Sequence, residues 1–385
     1  MKVALSTIGT FHSFDLAREL HRDQHLAAIY TGYPRFKLQA EGLPADHIKC
    51  FPWVHGAYMA FPYRDRLGER LVRQWEYLAR ASLDRYVAAR IRGCDVFVGL
   101  SSSALLTGRK VQRRGGRYVC DRGSSHIRMQ DALLREEHER WGVAYTGIDP
   151  RIIAREEAEY AAADCITVPS SFNVRSFVQS GVSASKIRRL PYGVNLERFH
   201  PTSQPDAQRF DVLFAGGMSL RKGVPYLLQA YKALEHPRKS LTFAGAPSPD
   251  LIALMRERGL WPEDAVVLGH VPQPALKDLM SRSHVMVLPS IEEGLALVQA
   301  QAMACGCPVI GTVHTGAEDL FVDGEHGFVV PIRQPHALTD KMQWLADHPQ
   351  ERIAMSHKAL AHVRQAGGWR EYGDQAKRIY QGLLS

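Results

Sequence analysis

Two segments far apart in the chain combine charge, glycine and a helix start in the manner of an anion site. In PSIEEGLALVQAQAM (289–303) an apolar strand, Val285 to Pro289, runs into Glu292-Glu293-Gly294 and then into a helix starting near Leu295. Gly294 lets the backbone approach a ligand closely, and the free N–H groups from Gly294 to Val298 point back at the same spot. GGMSLRKGVPYLLQAY (216–231) also follows a strand, and it sets Arg221 and Lys222 at a helix start, the arrangement of a phosphate loop. In the first half, CDRGSSHIRMQD (120–131) gathers Asp121, Arg122 and His126 after a strand. Glycine, cations and helix starts of this kind suit the binding of a phosphate group. A solvated acidic turn, an ordinary helix N-terminus and a structural histidine are the plainer readings of the same segments.

The stretch from Pro289 to Ile310 resembles the donor-binding signature of the retaining glycosyltransferases of family 4, S-x-x-E-G-F-G-L-x-x-x-E-A-M-A-x-G-x-P-V-I. Glu293 matches its first glutamate, Leu295 and Ala296 match F-G, and Gln301 stands where the second glutamate belongs. Residues 216–230 resemble the family's second signature, G-R-L-x-x-x-K-G-x-x-x-L-L-x-A. Lys222 matches its lysine, Gly217 replaces its arginine, and Arg221 is the candidate to cover that role.

The resemblance implies a GT-B fold and transfer of a sugar from a UDP- or GDP-sugar to an acceptor hydroxyl with the α configuration kept. The implied setting is cell-surface polysaccharide or glycolipid synthesis, with a saccharide or lipid-linked acceptor. It implies no cofactor beyond the nucleotide sugar and no metal, and no Asp-x-Asp pair occurs in the chain. Glu293 would touch the donor sugar, with Arg122 or His126 in the place of the family's histidine. Gly9, Thr10, Arg221, Lys222, Gly294, Leu295, Ala296, Leu297 and Gln301 would hold the rest of the donor, and His12 and Ser13 would face the acceptor. Gln301 is uncharged, so its bonds to a ribose are weaker than a carboxylate's. The departures at Gly217 and Gln301 keep a non-catalytic GT-B binding protein open, and a sugar-nucleotide epimerase of similar fold is the other alternative.

These residues need two sheets to position them. With 385 residues the chain is too long for one ordinary core. Strand-like runs at 2–7, 25–32, 48–52, 95–101, 117–122 and 165–170 alternate with helical stretches, the longest at about 65–92. A second series runs through 210–217, 241–246, 265–271, 284–290, 308–312 and 327–332. This alternation predicts two doubly wound α/β domains, 1–192 and 193–369, joined near the Pro- and Gly-punctuated 188–201. By resemblance the last helix, 370–385, returns to the first domain.

Residues 1–192 hold 29 Lys and Arg against 20 Asp and Glu, and the rest hold 19 against 20, so the first half carries the net charge of +8. The excess concentrates between Arg64 and Arg117. Trp53, Tyr58, Phe61 and Tyr63 lie beside Arg64, Arg66, Arg70 and Arg73, a combination that suits peripheral contact with an anionic membrane, an acceptor groove or burial. No nucleic-acid recognition motif accompanies the charge. Scattered cysteines, the absence of a leader-like start and the absence of a long apolar run give a cytoplasmic expectation, with reduced thiols.

Overall fold

In the computed structural model, residues 1–62 and 67–385 are described; Tyr63, Arg64 and Arg66 lie outside them. The first domain is a seven-stranded parallel sheet in the order β3-β2-β1-β4-β5-β6-β7. Its strands are β1 (Val3–Thr7), β2 (Leu26–Thr31), β3 (Ile48–Cys50), β4 (Val96–Leu100), β5 (Arg117–Asp121), β6 (Cys165–Val168) and β7 (Ile187–Arg189). The second is a six-stranded parallel sheet in the order β10-β9-β8-β11-β12-β13. Here the strands are β8 (Phe210–Ala215), β9 (Lys239–Ala244), β10 (Ala265–Val267), β11 (Val285–Leu288), β12 (Val309–Thr312) and β13 (Gly327–Val330).

Helices cover both faces of each sheet, so the central strands are buried along their whole length, as in VALST of β1 and VMVL of β11. Strand order reverses between β1 and β4 and again between β8 and β11, which opens a crevice at the carboxyl end of each pair. The segments 8–12, 101–104, 216–223 and 289–296 lie at these two switch points. One strand escapes the sequence pattern. Ile187–Arg189 falls in the region read as a linker, yet pairs with β6 and completes the first sheet.

The helix Trp369–Leu384 lies on the helix Phe11–Arg22 of the first domain. Tyr372, Ala376 and Tyr380 enter the same core as Phe14 and Leu20, and Lys377 pairs with Asp23. The chain thus crosses between domains twice, and the crossings touch: a Cβ on Gly193 would lie 2.4 Å from the carbonyl carbon of Gly368. All six cysteines are free thiols. Among the described residues no helix is long and apolar enough to cross a membrane.

Candidate active site

The second domain's edge is built by two loops locked to each other. Gly223, at φ 69°, starts the helix Val224–Ala233, and a Cβ there would fall 1.9 Å from the carbonyl oxygen of Pro289. Only glycine permits that approach. Ile291 donates its amide to the carbonyl of Arg221 at 2.8 Å, so the cations and the acidic turn share one rigid unit. Within it, Lys222 Nζ pairs with Glu293 Oε1, and Arg221 Nη2 donates to Glu293 Oε2 at 3.2 Å. Arg221 Nε reaches Glu292 Oε2 at 3.1 Å.

Glu292 is fully buried and joins the domains. Its Oε1 accepts from Ser124 Oγ (2.8 Å), Ser125 N (3.0 Å) and Ser125 Oγ (2.7 Å), and its Oε2 accepts from Gln130 Nε2 (2.9 Å). Burial pushes this carboxyl up, but Arg221 and the Ser125 and Ser124 donors outweigh it and hold its pKa below 4.5. Sequence reading left Glu292 as part of a turn; nothing local separates a solvated acid from one that meets its partners more than 160 residues away.

On the first domain, His12 lies in the first turn after the β1 edge. Its Nε2 is 2.5 Å from Asp121 Oδ2, and Thr167 Oγ1 donates to Asp121 Oδ1 at 2.8 Å. The imidazole stacks on Tyr192 with ring centroids 4.3 Å apart, and Tyr372 of the last helix meets it edge-on. A Cβ on Gly123 would lie 3.8 Å from the His12 ring and 2.9 Å from the Tyr192 hydroxyl. His12 and Asp121 therefore flank the loop that contacts Glu292.

Arg122 and His126, the two sequence candidates for the family's histidine, are turned into their own domain. Arg122 is buried and fully engaged: Nη1 pairs with Glu156 (2.9 Å), Nη2 donates to Gln130 Oε1 (2.8 Å) and Nε to the Ser125 carbonyl (3.1 Å). It holds the loop that receives Glu292. His126 caps the helix Ile127–Trp141, its Nδ1 accepting from the Arg128 amide at 3.3 Å, while Tyr160 and Phe177 pack on the ring. Burial lowers its pKa to about 4. Both are supports here, and the imidazole beside the cleft is that of His12.

The donor-side candidates divide as well. Gly9 follows β1, where a Cβ would lie 2.7 Å from the Phe11 ring, and Thr10 precedes the helix without capping it through its side chain. Ala296 donates its amide to Thr315 O (3.2 Å), so it is spent inside the domain. The amides of Leu295 and Leu297 take no hydrogen bond among the described residues. Leu295 packs its side chain against Gly316. Gln301 is half-buried in the helix Leu297–Ala304. Among the described residues no group of three His, Cys, Asp or Glu side chains is arranged to hold a metal ion.

Further contacts close the domains on each other. Asn173 Nδ2 donates to the Glu293 carbonyl (3.1 Å), Phe172 stacks on His314 with centroids 4.0 Å apart, and Arg333 pairs with Glu136 and Glu137. Beyond Gly9 a cavity of about 240 Å³ opens in the first domain, lined by Tyr33, His55, Tyr58, Glu76 and Arg80 among others.

Residues 196–362 match the family described as Glycosyl transferases group 1. D-inositol 3-phosphate glycosyltransferase 1 of Catenulispora acidiphila is 29% identical over 258 residues, 61% of each chain. The D-inositol 3-phosphate glycosyltransferase of Arthrobacter sp. is 32% identical over 46% of each chain. The chain thus spans about half to three fifths of the length of these two relatives. Among solved structures, sucrose-phosphate synthase from Thermosynechococcus elongatus superposes with a TM-score of 0.74 at 20% identity, over 100% of this chain and 99% of that one. Anabaena HepE, solved with UDP and glucose, gives 0.71 at 16% identity over 99% and 100%. The chain has the two-domain GT-B fold, and its residues 196–362 match the glycosyl transferases group 1 family.

Proposed function

We propose that the protein is a retaining glycosyltransferase that moves a sugar from a nucleotide-diphosphate sugar to an acceptor hydroxyl. The observation that carries this reading is Glu293, held between Arg221 and Lys222 at the second domain's switch point and covered by the Gly123 loop of the first. This carboxylate meets both cations at the position that suits an anion. A donor diphosphate takes the two cations and frees Glu293 for the hydroxyls of the sugar.

Charge then grows on the leaving diphosphate as the anomeric C–O bond breaks, where Arg221 and Lys222 stabilise it most. The acceptor oxygen bonds to the anomeric carbon on the same face, its proton passes to the departing phosphate oxygen, and a nucleoside diphosphate is released. The chain's residues orient and neutralise, with no carboxylate forming a covalent bond and no metal carrying the diphosphate. HepE, of the same fold, was solved with UDP, which favours a uridine donor here.

The acceptor enters from the cavity beyond Gly9, whose Glu76, Arg80 and aromatic rings suit a saccharide. The neighbouring face exposes Trp53 (77%) and Phe36 (68%) beside Lys37 and the basic helix Glu69–Arg90. We assign this face to an anionic membrane surface, consistent with a lipid-linked acceptor.

The test is transfer by purified protein from a panel of UDP- and GDP-sugars, with the product's anomeric configuration read by NMR. Inverted product overturns the retaining mechanism. A changed donor without an acceptor indicates an epimerase, and donor binding without turnover indicates a binding protein.

A further inference from the structure

A cavity of about 390 Å³ lies in the second domain at the amino ends of β11 and β12, the edge opposite the candidate active site. Its size is that of a small-molecule site. Its walls are the segment Pro201–Ala207, the loop Cys305–Pro308 and the first turns of the helix Pro349–Ala366. Arg352 lines it and is only 8% exposed.

Among the described residues no carboxylate forms an ion pair with this guanidinium. Its polar contact is Nη1 to the carbonyl of Leu345 at 2.7 Å, and the ring of Phe210 lies 5.8 Å away. The cavity lining contains no Asp or Glu. Glu351, in the same turn, is exposed and outside the lining. His284 on the wall accepts the Asp211 amide at Nδ1 and reaches the Asp206 carbonyl through Nε2, which fixes it as a neutral imidazole. Burial also lowers the Arg352 pKa, with no acid offsetting it.

Buried charges are ordinarily paired, because desolvating an isolated ion is costly. Through Leu345 the guanidinium caps the carboxyl end of the helix Pro335–Asp347, whose dipole offsets part of its charge, while its own helix acts in the opposite sense. The amides of Gln350 and Glu351 have no acceptor within the helix, and the positive end of the helix dipole adds to the Arg352 charge. Ser203 and Gln350 line the rest, with Ser356, whose hydroxyl donates to the Gly306 carbonyl.

From the acid-free cavity around one buried arginine that has no carboxylate partner, we infer that this is an effector site for a small phosphorylated molecule or free phosphate. The bound anion supplies the full counter-charge that the helix end offers only in part. One wall, Pro201–Ala207, follows the crossing between the domains, so an occupant ties that segment to the helix Pro349–Ala366. The inference stands on this cavity alone and does not depend on the transferase reading.

The test is thermal unfolding of the full chain with inorganic phosphate or glycerol phosphate, each against sodium chloride at equal ionic strength. A tenfold excess over Kd is expected to raise Tm by about 2–4 °C. Lys222→Ala, which weakens the phosphate-binding candidate in the cleft, should keep the response. Arg352→Gln should abolish it. Because Arg352 also caps the preceding helix, Ser203→Asp is the second variant: it leaves the guanidinium and its cap intact but puts a carboxylate at the exposed mouth, and should weaken binding at least tenfold. A response to glycerol phosphate above that to inorganic phosphate assigns a phosphorylated metabolite; equal responses assign the free ion. A wild-type chain indifferent to both, or a response lost in Lys222→Ala and kept in Arg352→Gln and Ser203→Asp, overturns the site.

Discussion

Gly123 and Gly294 meet backbone to backbone across the domain boundary: a Cβ on Gly294 would lie 2.0 Å from the carbonyl oxygen of Gly123. Real Cβ atoms do not approach oxygen so closely, and here the obstacle is main chain, which cannot rotate away. Gly294→Ala is therefore expected to hold the domains apart while leaving each sheet intact. The expected outcome is a loss of kcat/KM of at least about 100-fold, the cost of misplacing reacting groups by an ångström, with a larger radius of gyration in solution scattering. A variant of wild-type activity and compactness would show that catalysis does not use this closed arrangement.

Glu293 separates two effects in one substitution. Paired with Arg221 and Lys222, it competes with any anion for those cations. Glu293→Gln should bind UDP about tenfold more tightly, one charge-assisted contact being worth about 1.4 kcal/mol or more. It should also lower kcat by about 100-fold, because the sugar loses a carboxylate where positive charge develops. Lys222→Ala should weaken UDP and cost about 2–4 kcal/mol of transition-state stabilisation. Calorimetric titration with UDP and steady-state rates decide between these signs; weaker UDP binding by Glu293→Gln would place the diphosphate elsewhere.

The Lys222–Glu293 pairing joins two segments that could each be read in sequence, because glycine, charge and a helix start are local signals. The alternating strands were legible for the same reason. What stayed hidden depends on long-range contact. Asp121 lies 109 residues from His12, and no pattern near His12 marks it as the residue that meets Asp121. Arg122 and His126 looked like site residues because they share a strand edge with Asp121, but local spacing does not reveal which side chains turn inward. The three residues of β7 are too short for a periodicity, and two arginines disguise them.

Glu292 should make domain closure sensitive to acid. Its folded pKa lies below 4.5, so its stabilising contribution is complete above about pH 4.5 and is lost as pH falls through the lowered value. Arg221 faces it, with Arg122 and His314 nearby, and none of these supplies an alternative acceptor for Ser124, Ser125 and Gln130. Glu292→Gln puts an NH₂ group opposite at least one donor whichever way the amide turns. The variant should lose about 1–3 kcal/mol at neutral pH and show a flatter dependence of Tm on pH between about 5 and 3. Parallel Tm profiles for the two proteins would remove Glu292 from the acid response.

The membrane assignment predicts a dependence on both charge and aromatic surface. Binding to vesicles should require acidic lipid and fall as salt rises, each exposed Lys or Arg near the surface contributing about 1 kcal/mol. Trp53→Ala, at a side chain 77% exposed, should weaken binding without lowering Tm. Equal binding to neutral and acidic vesicles, or an unaffected Trp53→Ala variant, would return this face to solvent.

Gln301 tests how far the donor reaches along the helix Leu297–Ala304. Its side chain is half-buried and makes no hydrogen bond among the described residues, so it is free to meet a ligand. A ribose bound there is remote from the breaking bond, and its contacts are nearly equal in the ground and transition states. Gln301→Ala should accordingly raise the donor KM by about three- to tenfold, one neutral hydrogen bond, and leave kcat nearly unchanged. Gln301→Glu should lower the donor KM, because a carboxylate accepts from hydroxyls more strongly than an amide. The contrast with Glu293→Gln, where kcat falls and UDP binds better, distinguishes a residue that holds the nucleotide from one that faces the sugar. If Gln301→Ala leaves the donor KM unchanged, the nucleotide does not lie along this helix.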